Sequence, residues 1–406
     1  MKYVIIGTSA AGITAAEELR KRQSDADIVM ISADEYVHSR CMLHKYLSHE
    51  RTAEELDFTE EGFFKKNRIS WIQGRVTSLD TEGRAVCLAS GEKVSYDKLL
   101  IASGANSSIP PVGDLRKAEN VCGLRHLSDA QKIDAMSEKA QNVLVIGSGL
   151  VGLDAAYGLL DRGKNVTVVE MADQILPMQL DAHAAQAYQK LFEKAGVKFF
   201  LGKSAKEASC GADGMIHEVI LDTGEVISCD VVIAATGVRP ATEFLEGSGI
   251  EINCGIQVNS RMETSRPDVY AAGDVTGLSG IWPNAMKQGR TAARNMCGDS
   301  EEYTDTFAQK NTINFFGLVT LCLGELRPGE GDRVVAQEDR SVYRRAILRD
   351  GKLAGILLQG DISNSGIWQY IIKNKIDLGA KEKNLFKITF ADFYGTGEKG
   401  KYVWNV

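Results

Sequence analysis

Apolar residues in this chain gather into short runs that end at glycine or an acid. "KYVIIG", "DIVMIS", "LLIASG", "NVLVIG", "NVTVVE" and "VVIAATG" are such runs. Each reads as a strand covered on both faces, as strands of parallel sheets are. Two of them continue alike: "KYVIIGTSAAGITAAEEL" and "NVLVIGSGLVGLDAAYGL" run from strand through a Gly-rich turn into a helix, a degenerate internal repeat. Later the period changes. "RRAILRDGKLAGILLQGD" (Arg344–Asp361) alternates on either side of Asp350-Gly351 and predicts a hairpin, and "NSGIWQYIIKNK" predicts the helix after it. The pattern predicts an α/β protein with two doubly wound, Rossmann-like domains followed by an α+β region.

The glycines of the repeat carry the first chemistry. In the second copy Gly147 permits a tight turn, Gly149 lets the backbone approach a pyrophosphate, and Gly152 allows close helix–strand packing. Leu150 and Val151 then open a helix whose free N–H groups and dipole favour phosphate. Glu170 ends the strand "NVTVVE" about 20 residues on, where an acid binds ribose hydroxyls; a glutamate there disfavours a 2′-phosphate, so NADH is expected over NADPH. The first copy keeps Gly7 and Gly12 but has Ser9 at the middle position, with Ser32 rather than an acid at the ribose position. Asp34 and Glu35 follow at once and serve instead. Either copy alone is compatible with a glycine turn in some other α/β domain; the pair, in the same strand–turn–helix context, argues for two dinucleotide sites. "DVYAAGDVTG" adds a strand ending at Gly273-Asp274, an aspartate at the carboxyl edge of a parallel sheet, where doubly wound folds bind ligands; as a lone feature it also reads as a β-turn aspartate.

Composition narrows the classes. With 406 residues, length allows two to three domains. Lys+Arg 47 against Asp+Glu 54 leaves a net charge of -7, which argues against nucleic acid as a partner. No apolar run is long enough to span a bilayer, and "KYVIIG" at the start reads as a strand, not a secretory signal. Eight cysteines with no CxxC spacing argue against zinc, a disulfide framework or a paired-thiol site, and fit a reducing cytoplasm.

The ordered set GxxxxG, "ASG…PP", GxGxxG, "ATGxRP", "AAGD" resembles the pyridine-nucleotide–disulfide oxidoreductase superfamily of FAD flavoproteins, over nearly the whole chain. The resemblance implies an FAD domain from residues 1–112 and 241–300, an NAD domain at 113–240, and an interface domain at 301–406 that pairs two chains into a homodimer. It implies FAD at Gly7, Ser9, Ala10, Ala11 and Gly12, at Asp34 and Glu35, at Ser103 and Gly104 of "ASG", at Gly273 and Asp274, and at the backbone of Val76. NADH would lie on Gly147–Gly152 and Glu170, with Gly237 lining the nicotinamide approach. In "IWPNAMKQGRTAARN" the resemblance sets Trp282 and Ala285 beside the flavin, a core tryptophan being the alternative.

"HSRCMLHKYL" (His38–Leu47) decides the subfamily. Set against coenzyme A disulfide reductases, NADH oxidases and NADH peroxidases, Cys41 falls on their single redox-active cysteine. Set against rubredoxin and ferredoxin reductases and the nitrite reductase flavin domain, "SRCMLHK" resembles "DRPPLSK". Arg40 then matches the arginine, Lys45 the flavin-contacting lysine, and Cys41 a proline. With Ser39 as N-cap, Cys41 falls in the first helical turn, where the dipole and Arg40 favour thiolate; a small apolar filler is the other reading. Lys45 either stabilises the anionic reduced flavin or is a solvated helix lysine. Ala10 stands where the oxidases and peroxidases carry a histidine, which argues against a peroxidase mechanism. His44 reads as an exposed helical histidine, and Tyr394 and Tyr402 as interface aromatics. The favoured activity is hydride transfer from NADH through FAD and Cys41 to a small disulfide or persulfide. Beside it stand donation from FAD to a rubredoxin, ferredoxin or other partner protein, and a redox-regulated binding flavoprotein with little turnover.

Overall fold

The computed structural model describes residues 1–305, 310–397 and 400–404, with the backbone alone for Tyr402 and Trp404. Its contacts divide the chain into two compact units, residues 1–171 with 196–305, and residues 172–195 with 306–406. The second unit thus takes a piece of the segment expected to bind NAD.

Two five-stranded parallel sheets organise the first unit. One runs in the order Val269–Ala271, Lys98–Ile101, Lys2–Ile6, Asp27–Ser32, Ile69–Gln73. The other runs Lys198–Leu201, Asn165–Glu170, Asn142–Ile146, Val231–Ala234, Val121–Cys122. In both, the strand that opens the repeat is central, with its successor on one side and a later strand on the other. The turn after it therefore sits where the strand order reverses, and a crevice opens at such a point. The continuous apolar runs follow from burial on both faces: Val4, Ile5, Leu144 and Val145 are all solvent-inaccessible. Two three-stranded antiparallel sheets, Val76–Asp80 with Ala85–Leu88 and Lys93–Ser95, and Ala205–Cys210 with Ile216–Leu221 and Val226–Ser228, complete the unit. A two-stranded ribbon pairs Ala105–Ser107 with Val238–Pro240.

The second unit has an antiparallel sheet in the order Lys310–Phe315, Leu318–Gly324, Lys352–Gln359, Val342–Arg349, Arg333–Asp339. The predicted hairpin is there, turned by Asp350 and Gly351, both with positive φ. Helix Ser365–Lys373 lays Ile367, Trp368 and Ile371 on the sheet. Helix Ala182–Lys194, N-capped by Asp181, belongs here too. The buried Tyr188 hydroxyl lies within hydrogen-bond distance of the carbonyls of Ile313 (3.1 Å) and Leu318 (2.8 Å) and of Thr320 Oγ1 (3.0 Å). Phe192 packs edge-on against Phe315. Tyr394–Thr396 pairs with Tyr402–Trp404; Tyr394 is exposed and the Tyr402 side chain lies outside the described residues. No helix among the described residues is long and apolar enough to cross a membrane.

Candidate cofactor cleft and dinucleotide turns

Close backbone packing builds the first turn. Gly7 has a φ of +111°, and a Cβ on it would run into the carbonyl of Ala102; one on Gly12 would run into the carbonyl of Gly7. Helix Ala10–Arg22 then crosses helix Trp282–Met296 with Gly289 against the backbone of Ala11. This crossing brings Ala285 and the Gly273-Asp274 corner over the turn, Gly273 being held through its N–H by Gln288 Oε1 at 2.7 Å.

A cleft of about 730 Å³ opens there. Gly7, Ser9, Ala10, Ala11, Asp34, Glu35, Arg40, Cys41, Val76, Ser103, Gly104, Gly273, Asp274, Trp282 and Ala285 line it, as the sequence reading grouped them, while Gly12 lies beneath. Trp282 stands on the rim edge-on to Phe58, with ring centroids 4.9 Å apart. The start of helix Ala10–Arg22 has no side-chain cap and lines the cleft, so its first N–H groups are free to meet an anion there. The glycine cradle, the uncapped helix and the lining arginines Arg40 and Arg125 fit the pyrophosphate of FAD.

Among the lining residues not read from the sequence are Asn106, Arg125, His126 and Asp129. Asp129 Oδ2 accepts the N–H groups of Arg125 and His126, each at 2.9 Å, and so starts helix Leu127–Ser137. The acid three residues after His126 in "LRHLSDA" is the signal that would have marked this helix start. Arg125 pairs with Asp274 across the cleft. Arg40 Nη1 reaches the carbonyl of Arg125 and His126 Nδ1, both at 2.8 Å, and Nη2 lies 3.6 Å from Asp34.

The Cys41 segment departs from expectation. Arg40–Met42 is a single 3-10 turn, the α-helix covers only Leu43–Leu47, and Ser39 makes no side-chain cap. No helix dipole of useful length therefore points at the thiol. Cys41 is open to the cleft but crowded by protein on its other sides. That burial, then the charge of Asp154, push its pKa up; Arg125 and Arg40 oppose them. The thiol is thus shifted away from thiolate. Lys45 is not among the lining residues; both carboxylate oxygens of Glu50 accept from its ammonium, at 2.6 and 2.8 Å. His44, read as exposed, is largely covered; its Nδ1 is buried without a hydrogen bond, 3.7 Å from Asp154 Oδ1. Burial holds the Asp154 carboxyl up at about 7 against the pull of Lys45, although 28% of its side chain still meets solvent.

The second turn repeats the first. Gly147 has a φ of +102°, with no room for a Cβ beside the Ala235 carbonyl, and Gly152 packs on the carbonyl of Gly147. Gly149 differs: nothing lies within 4 Å of where its Cβ would be, so packing in the fold does not call for a glycine there. Leu150 and Val151 begin helix Leu150–Leu160, and Val151 is exposed. Glu170 Oε2 accepts from Ser148 N–H (2.8 Å) and Oγ (2.9 Å), which fixes the acid beside the turn. Gly237, with a φ of +104°, leaves open space before the ribbon strand. None of these residues lines the first cleft.

Two Gly-rich turns on two parallel sheets, one of them opening on a cleft, give the layout of a protein with two nucleotide sites. Residues 1–289 match the family model for pyridine nucleotide-disulphide oxidoreductase, and residues 310–376 match the rubredoxin NAD+ reductase C-terminal domain. The chain is 31% identical over 393 residues to the NADH-dependent phenylglyoxylate dehydrogenase subunit epsilon of Aromatoleum evansii, covering 93% of this chain and 92% of that protein. Among solved structures it resembles the ferredoxin reductase for the CYP199A2 system from Rhodopseudomonas palustris: 26% identity, TM-score 0.83, covering 93% of this chain and 95% of that one. It also resembles a NAD-dependent persulfide reductase from A. fulgidus: 25% identity, TM-score 0.82, covering 93% and 78%. The chain belongs to the pyridine nucleotide-disulphide oxidoreductase family. It is an NADH-dependent FAD flavoprotein oxidoreductase.

Proposed function

We propose that this flavoprotein exchanges electrons between NADH and a redox partner protein, and that Cys41 takes no covalent part. The observation that carries the reading is the setting of that thiol: it sits on a single 3-10 turn with no helix dipole of useful length behind it, and burial and Asp154 push its pKa up. A thiol that keeps its proton at neutral pH is a poor nucleophile. FAD, when bound, accepts a hydride from NADH and can release the two electrons one at a time. The chain's part is to hold the two nucleotides on Gly7–Gly12 and Gly147–Gly152 and to select NADH through Glu170. Arg40 and Arg125 balance the charge in the FAD cleft. Likeness to a subunit of a larger dehydrogenase, to a ferredoxin reductase and to the rubredoxin reductase C-terminal domain supports an acceptor that is itself a protein. Pairing of two chains through residues 301–406 belongs to the same proposal.

A second reading rests on Cys41 lining the cleft, open to small molecules; there electrons pass through the thiol to a disulfide or persulfide. Anaerobic titration of the FAD-loaded protein separates the two. The partner-protein reading expects two electrons taken up per FAD and an unchanged spectrum in Cys41→Ser. Four electrons, with a long-wavelength band lost in the variant, would sink it in favour of the thiol route.

A further inference from the structure

We infer that His126 is a positioning residue for FAD, acting through its Nδ1 lone pair to hold Arg40 in place on the cleft wall. The inference rests on FAD filling this cleft.

A guanidinium has only donors, so an imidazole nitrogen 2.8 Å from Arg40 Nη1 has to be the acceptor. That choice fixes the tautomer: the proton sits on Nε2, which faces Asn106 Oδ1 at 3.1 Å and donates to it. Burial, then Arg40, depress the ring's pKa to about 4, so at neutral pH no second proton disturbs the arrangement. Arg40 Nη1 thereby spends both its hydrogens, one on the Arg125 carbonyl and one on His126. Its Nη2 is turned toward Asp34 at 3.6 Å. Both acceptors of Nη1 are thus neutral, and Asp34 is the carboxylate that faces Nη2 on the cleft wall.

The arrangement also joins two parts of the chain. Arg40 follows the first βαβ unit, whereas Arg125 and His126 lie just before helix Leu127–Ser137, and Asn106 lies on the two-stranded ribbon. All four line the cleft. Without the imidazole acceptor, a long arginine side chain would regain its rotamer freedom, and a buried N–H would lose its partner.

Substitution can separate acceptor from donor. The amide oxygen of asparagine falls near the position of Nδ1, and the amide of glutamine near that of Nε2. His126→Asn therefore keeps an acceptor for Arg40, while His126→Gln keeps the contact with Asn106 and gives up that acceptor. The experiment measures FAD dissociation constants on apoprotein by flavin fluorescence. Melting of each apoprotein verifies folding, and Ser9→Trp serves as a variant that blocks the first turn. A charge-assisted hydrogen bond corresponds to about a tenfold change or more. We expect His126→Gln to weaken FAD by about tenfold or more, His126→Asn to stay within about threefold of wild type, and Ser9→Trp to abolish binding. Glutamine binding as wild type does, or asparagine as weak as glutamine, with Ser9→Trp still blocking, would overturn the role of His126. Wild-type affinity in Ser9→Trp would instead overturn the assignment of the cleft to FAD.

Discussion

At the scale of single residues, the groups whose protonation matters most are ones that pattern alone does not single out. Asp154 stands in "GLDAA", where helical spacing gives no reason to expect a carboxyl with a pKa near 7. The shift comes from the packing of Leu43–Leu47 onto helix Leu150–Leu160, a contact between segments a hundred residues apart. Linkage gives its sign. Folded Asp154 keeps its proton to about 7, whereas the unfolded chain releases it near 3.8, so its contribution to stability falls as pH rises between those values. His44 and His126 act oppositely: burial holds both at about 4 against an ordinary 6.5, so stability present above 6.5 is lost as pH falls toward 4. Denaturant titrations of the apoprotein at pH 5 and pH 8 should show Asp154→Asn gaining on wild type at the higher pH. An equal difference at both would refute the shifted carboxyl. The raised Cys41 pKa belongs to the same kind of information, since the sequence shows the neighbours of a thiol along the chain and not those that fold onto it.

At the scale of elements, the two turns were the most legible feature. A glycine that packing requires and one that packing does not require look alike in "GSGLVG", yet the structure tells them apart. Gly152 packs on the carbonyl of Gly147, while Gly149 faces open space with an ordinary φ of −67°. Gly149→Ala should therefore change stability by less than about 1 kcal/mol and still raise the KM for NADH roughly tenfold, because the methyl crowds a pyrophosphate at a cost of about 1–3 kcal/mol. Gly152→Ala should lose stability as well. Melting curves beside NADH saturation curves check both, and an unchanged KM in Gly149→Ala would remove the turn from the NADH site. The short Arg40–Met42 turn was the least legible element. "SRCMLHK" has helix-forming composition, but the register that would cap it at Ser39 is not adopted, and five residues of α-helix depend on neighbours for their stability.

At the scale of the molecule, apolar runs and hairpin pattern marked strands of the parallel sheets and the hairpin but not the membership of residues 172–195. Helix Ala182–Lys194 follows a Rossmann strand and reads as a crossover helix, yet Tyr188 and Phe192 pack against residues 313–320. A fragment of residues 310–404 alone would leave that surface bare, together with two carbonyls and a hydroxyl that lose the Tyr188 hydroxyl. We expect it to show no cooperative melt by circular dichroism, and a sharp transition would mean that the helix is dispensable. The layout of the first sheet has a consequence in time. Its outer strand, Val269–Ala271, pairs with Lys98–Ile101, and the helix that closes the cleft ends at Met296. A ribosome making roughly 5–20 residues per second needs about ten to thirty seconds to pass from one strand to the other. Through that interval the nascent chain holds a finished Gly7–Gly12 turn with one wall of its cleft still unmade, so flavin loading has to wait until the helix Trp282–Met296 has been made.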